Sequence, residues 1–113
     1  MYFLFIKIVD IDYKEDVTMA LESVGITKAS YIESWNLEKS LTDEILLFTG
    51  FFQREKIGQQ IIITALAEEK DQVHKLLETL RIAGLDIDHK EILRVVLMPV
   101  EMVFDWDMGL KEF

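Results

Sequence analysis

Hydrophobic positions along the chain fall into six blocks with two alternating periods. Apolar runs at strand length cover Tyr2–Val9, Ala29–Trp35, Gln60–Ala67 and Ile92–Val100, and two intervening stretches carry apolar residues at helical spacing. In the first, Tyr13–Val24, Val17, Ala20, Leu21 and Val24 fall on one face; in the second, Glu69–Ala83, Val73, Leu76, Leu77 and Leu80 do the same. Gly25 and Gly84 follow the two stripes, where a helix commonly closes through a left-handed residue. Asp12 with Glu15 three residues later reads as a capping-box start for the first helix. The pattern predicts one strand, helix, strand unit written twice.

That order predicts an α+β fold, a ferredoxin-like βαββαβ sandwich whose antiparallel sheet carries two helices on one face. It assigns residues 1–104 to one domain, with an insert over 36–58 between the second and third strands, and leaves 105–113 as a C-terminal segment. The first and third strands are apolar at nearly every position, as in Phe3-Leu4-Phe5-Ile6 and Ile61-Ile62-Ile63, which is the pattern of strands buried on both faces. Helices on one face leave the other uncovered. The expectation is a homo-oligomer whose open sheet faces pack together.

The insert begins polar and then runs Ile45-Leu46-Leu47-Phe48-Thr49-Gly50-Phe51-Phe52, unlike a solvated loop. Two readings stand side by side: an extra strand packed at a subunit interface, or an arm whose tip, Leu47, Phe48, Phe51 and Phe52, docks on a partner protein.

Composition narrows the function. The 113 residues are half apolar and carry 21 acids against 12 bases, a net charge of −9. Phosphate backbones require clustered Lys or Arg, so nucleic acid is not expected as a partner. With no cysteine, disulfides, thiolate metal sites and a Cys nucleophile are excluded. The apolar start is interrupted by Lys7, is too short to span a bilayer and lacks the features of a signal peptide. The reading is a cytoplasmic protein with no membrane insertion. A mean hydropathy of +0.18 is high for so small a domain and again suggests a covered surface.

The run Ala20-Leu21-Glu22-Ser23-Val24-Gly25-Ile26, the strand after it, the long insert and above all Val95-Val96-Leu97-Met98-Pro99-Val100-Glu101 resemble the PII-type nitrogen-regulatory signal proteins. The resemblance implies a homotrimer, an arm between the second and third strands that engages transporters or enzymes, and adenine-nucleotide binding between subunits. The chain departs from that pattern at the ligand positions. Glu91-Ile92-Leu93-Arg94 stands where the family has a phosphate-binding Gly-Asp-Gly-Lys turn, whose glycines allow close backbone approach. Ser34-Trp35-Asn36-Leu37 replaces the glycines at the arm's base, Asp105 and Asp107 stand where the family has arginines, and 36–58 contains no Tyr to modify. The expectation is a PII-like regulatory protein without the usual ATP site and without uridylylation.

Ligand-binding candidates are Arg94, the base retained in the altered turn, with His89, Lys90, Trp35 and Trp106. No metal site is assigned, and the cofactor is left unknown. Asp86, Asp88, His89 and Glu91 in one turn, and Asp105 and Asp107 in the C-terminal segment, are weak candidates that a trimer would have to gather around a hard cation. Asp71, His74 and Glu78 share helical spacing on a face expected to be exposed. No carboxylate lies in an apolar setting that would raise its pKa, and no serine has nucleophile-elbow glycines, so an enzyme is not expected. The alternatives are a CutA-like trimeric cation-binding or purely structural interaction protein, and an ACT-like regulatory domain, whose Gly-rich first turn is replaced here by Asp10-Ile11-Asp12.

Overall fold

The computed structural model describes residues 1–37 and 58–113. The predicted elements form in the predicted order: β1 (Tyr2–Ile8), α1 (Lys14–Ser23), β2 (Ala29–Trp35), β3 (Gln59–Ala67), α2 (Lys70–Ile82) and β4 (Leu93–Pro99). A hairpin of β5 (Met102–Asp105) and β6 (Gly109–Glu112) follows. The insert residues Leu47, Phe48, Phe51 and Phe52 lie outside the described residues.

The fold is α+β, with β1 to β4 in one antiparallel sheet in the order β2-β3-β1-β4. Leu4, Ile6 and Ile8 of β1 and Ile61, Ile63, Ala65 and Ala67 of β3 share one core with Val17, Ala20 and Leu21 of α1 and Val73, Leu76 and Leu80 of α2. Helix-period stripes therefore meet strand-period stripes on the same sheet face. The doubly apolar strands are not buried equally on both sides. In β1 the alternate residues Phe3, Phe5 and Lys7 are half-buried, as are Ile62, Thr64 and Leu66 in β3. The register places Val96 and Met98 of β4 beside Phe5 and Phe3, and places Ile32 of β2 beside Ile62. An apolar field with Lys7 and Arg94 at one end lies on the face away from the core.

The duplication extends to the helix ends. Ile26 N–H donates to Leu21 O after α1 and Leu85 N–H donates to Leu80 O after α2, both at 3.0 Å. In each case a glycine precedes the donor, with φ of +83° at Gly25 and +93° at Gly84, and the donor residue is itself buried. That is the Schellman arrangement with its apolar contact. The helix starts differ from expectation. The chain first makes a 3-10 turn over Ile11–Tyr13, capped by Asp10, whose carboxylate accepts the N–H of Asp12 at 3.1 Å. α1 then begins at Lys14 with no side-chain cap, because Asp12 is already inside that turn. The capping box belongs to α2, where Glu69 and Gln72 reciprocate.

The C-terminal hairpin starts inside the predicted domain and crosses residue 104. Met102 faces Glu112 and Phe104 faces Leu110, so Met102, Phe104 and Leu110 share one exposed face. Lys28 ties the hairpin to the start of β2 through Asp105, at 3.3 Å, and Asp107. The hydrogen bond to Asp107 raises the Lys28 ammonium above its ordinary value, and the same bond lowers the Asp107 carboxyl. Among the described residues no helix is long and apolar enough to cross a membrane.

Candidate functional site

The strand directions sort the sequence candidates into two groups. β2 and β1 run the same way and β4 runs against them, so Trp35, at the end of β2, lies at the sheet end where β1 finishes. His89, Lys90 and Arg94 lie at that end too, just before or at the start of β4. Trp106 lies beyond the other end of β4, at the hairpin tip, and is 89% exposed. Seven strand residues separate the two ends, about 20 Å. Asp86 and Asp88 therefore belong to one end of a single chain, and Asp105 and Asp107 to the other.

Each of these acids already has a partner. Arg81 grips Asp88 with two N–H donors, at 2.9 and 3.0 Å, and this hydrogen bonding lowers the Asp88 carboxyl. Asp86 Oδ1 lies 2.9 Å from His89 Nδ1; Asp105 and Asp107 share Lys28. Asp71, His74 and Glu78 are exposed on α2, where Asp71 and Glu78 pair with Lys75 and Arg81. Among the described residues, no group of three or more acids, histidines or cysteines is placed to hold a metal ion.

His89 is held above the ordinary histidine value of 6.5, chiefly by its hydrogen bond to Asp86. A folded value above the unfolded one means that the pair's contribution is complete below 6.5 and is lost as pH rises through the folded value. In an NMR titration His89 is expected to titrate above 6.5, and Asp86→Asn to bring it back down. Indifference to Asp86→Asn would contradict the pairing.

A different cleft forms at the sheet end where β1 finishes. After Ile8 the chain folds toward β4: Val9 and Asp10 both donate their N–H to Ile92 O, at 2.8 and 3.2 Å. This brings Asp10 and Asp12 beside Glu91. Across from them Gly58 enters β3 with φ of +76°, its carbonyl accepting the N–H of Asn36 at 2.8 Å. The cleft of about 690 Å³ is lined by Asp10, Asp12, Glu91 and Gln60, beside Val9 and Gly58. Its described lining carries three carboxylates and no base. Lys7 and Arg94 face each other one register step further along the sheet.

Gln60 distinguishes this cleft. It is 3% exposed, and its buried side-chain oxygen Oε1 has no hydrogen-bond partner among the described residues. The hydroxyl of Ser34, directly opposite in the β2 and β3 register, is likewise buried and has no partner among the described residues. Buried polar atoms nearly always find partners, so these two facing side chains stand out among the described residues. A second groove of about 290 Å³ runs between α1 and β2, lined largely by apolar side chains including Leu21, Ile26 and Ile63, and includes neither residue.

Sequence reasoning placed Glu91 in an acidic turn but singled out neither Asp10, Asp12 nor Gln60 as site residues. Asp10 and Asp12 read as the approach to a helix. Gln60, a polar residue opening an otherwise apolar strand, was the available signal. A scan against protein-family models finds no match, and a search of curated proteins finds none either.

Proposed function

We propose that this chain is a PII-like, non-enzymatic regulatory protein of the cytoplasm: a ferredoxin-like subunit that assembles as a homotrimer. It acts by effector or partner binding at its clefts and through the 36–58 arm, without the usual ATP site. The observation that carries the reading is the apolar field of Phe3, Phe5, Ile62, Leu66, Val96 and Met98 on the sheet face away from the helices. A field built from residues of three adjacent strands needs a cover in water, and matching faces of further copies supply one. The strand order and the two Gly-closed helices support the PII-like plan, while the loss of the glycine turn before β4 and the aspartates at 105 and 107 favour ligands other than a triphosphate.

The CutA-like alternative shares the trimer but takes a cation, and the acidic cleft is the feature that favours it. Both plans require assembly. The melting temperature should rise with protein concentration, because mass action stabilises a folded oligomer against unfolded monomers. A melting temperature constant over a hundredfold dilution series would count against either one.

A further inference from the structure

We infer that the C-terminal hairpin is part of the contact between copies of this chain: its outward face, Met102, Phe104 and Leu110, with Trp106 at the tip, packs against a second copy. The inference deepens the assembly reading above and rests on it.

The hairpin wears its apolar side outward. An antiparallel pair with one wet face normally turns its apolar residues to the covered side. Here Val103 and Asp105 are the half-buried positions of β5, Asp105 reaching Lys28 at 3.3 Å, while Met102, Phe104 and Leu110 are more than half exposed. Among the described residues, β5 and β6 pair with each other and with no strand of the main sheet. Two strands of four residues are marginal by themselves in water, and the exposed ion pairs of Lys28 add little to them. An apolar face on so weak an element calls for a cover.

Position and area both point to a second copy as that cover. The hairpin follows β4 after Val100 and Glu101, and Val100 donates its N–H to Met1 O at 3.1 Å. This holds it at the end of the sheet where Phe3, Leu66 and Met98 of the open apolar field lie. A copy seated on that end of the field meets the hairpin. The field alone is too small for a trimer, in which every subunit makes two contacts. A stable contact buries about 800 Å² per partner, somewhat over half of it apolar. Less than half of each field side chain is open, and a whole aromatic one has about 150–250 Å², so the six offer at most roughly 500 Å². Phe104, at 74% exposure, and Trp106, at 89%, add roughly 300 Å² by the same measure, and Met102 and Leu110 bring the apolar area near what two contacts require.

The test follows assembly by sedimentation velocity over a dilution series, for the wild-type chain, the double variant Phe104→Ser with Leu110→Ser, and the control Lys111→Ala, which alters the hairpin's other face. The double variant should keep the wild-type circular-dichroism spectrum and raise the concentration of half-assembly roughly tenfold or more. Lys111→Ala should leave it where it was. Fluorine NMR of the fluorotryptophan-labelled wild-type chain is the second readout, and decides the matter should the double variant not fold. The resonance that Trp106→Phe removes should change from solvent-shielded to solvent-exposed on dilution. Unaltered assembly in the folded double variant would overturn the inference and leave the assembly reading standing, as would a Trp106 resonance equally open to solvent in assembly and monomer. A wild-type chain that is monomeric throughout would overturn both and leave the hairpin face to a different protein.

Discussion

Val96→Asp should convert the proposed trimer to folded monomers. Val96 faces away from the core on β4, at the register of Phe5, and is 38% exposed in a single chain. In an isolated subunit an aspartate there reaches water and costs little. Against the apolar face of a second copy it would be an unpaired charge removed from water, costing several kcal/mol, and a symmetric assembly imposes that cost at every contact. Sedimentation velocity should show the variant at the monomer's size, with a wild-type circular-dichroism spectrum confirming the fold. An assembly unchanged by Val96→Asp would place the subunit contact elsewhere.

Leu76→Ala should destabilise by about 2–5 kcal/mol, a large part of the roughly 5–15 kcal/mol that holds a domain of this kind together. Leu76 is fully buried on α2, in the core it shares with Leu4, Ile6 and Ile63 of the sheet. Truncating it leaves a cavity where helix and strand stripes meet. Ile82 lies on the same helix but is 78% exposed, and Ile82→Ala should stay within about 0.5 kcal/mol. Urea denaturation of the two variants checks the contrast. Similar losses in both would show that the buried stripe is not the one the core is built on.

The two Gly-terminated helices were legible because a stripe at helical spacing followed by glycine has few other solutions: Leu21 and Ile26 close α1 as Leu80 and Leu85 close α2. The four strands were legible as apolar runs, but their two faces were not separable, since Phe3 and Phe5 look no less apolar than Leu4 and Ile6. Only the register assigns one set to the helices. The 3-10 turn at Ile11–Tyr13 was hidden because Asp10 and Asp12 are equally good caps by type, and backbone geometry decides between them. The hairpin of β5 and β6 was missed because its strands are four residues each, too short for alternation to stand out.

The candidate site was less legible than the fold. The turn holding Glu91 drew attention through its charge, yet Asp86, Asp88, Asp105 and Asp107 proved to have bases close by, as side-chain charge alone does not reveal pairing. The residue that distinguishes the cleft, Gln60, matters through what it lacks. An unsatisfied acceptor is a property of packing; the sequence shows only a polar residue opening a largely apolar strand.

Native mass spectrometry of the wild-type chain, at micromolar concentration and in volatile buffer, tests the central claim most directly. Packing of open sheet faces into a trimer predicts a dominant species of about 40 kDa, three chains of 13.2 kDa. A dominant 13.2 kDa monomer across that range would contradict it.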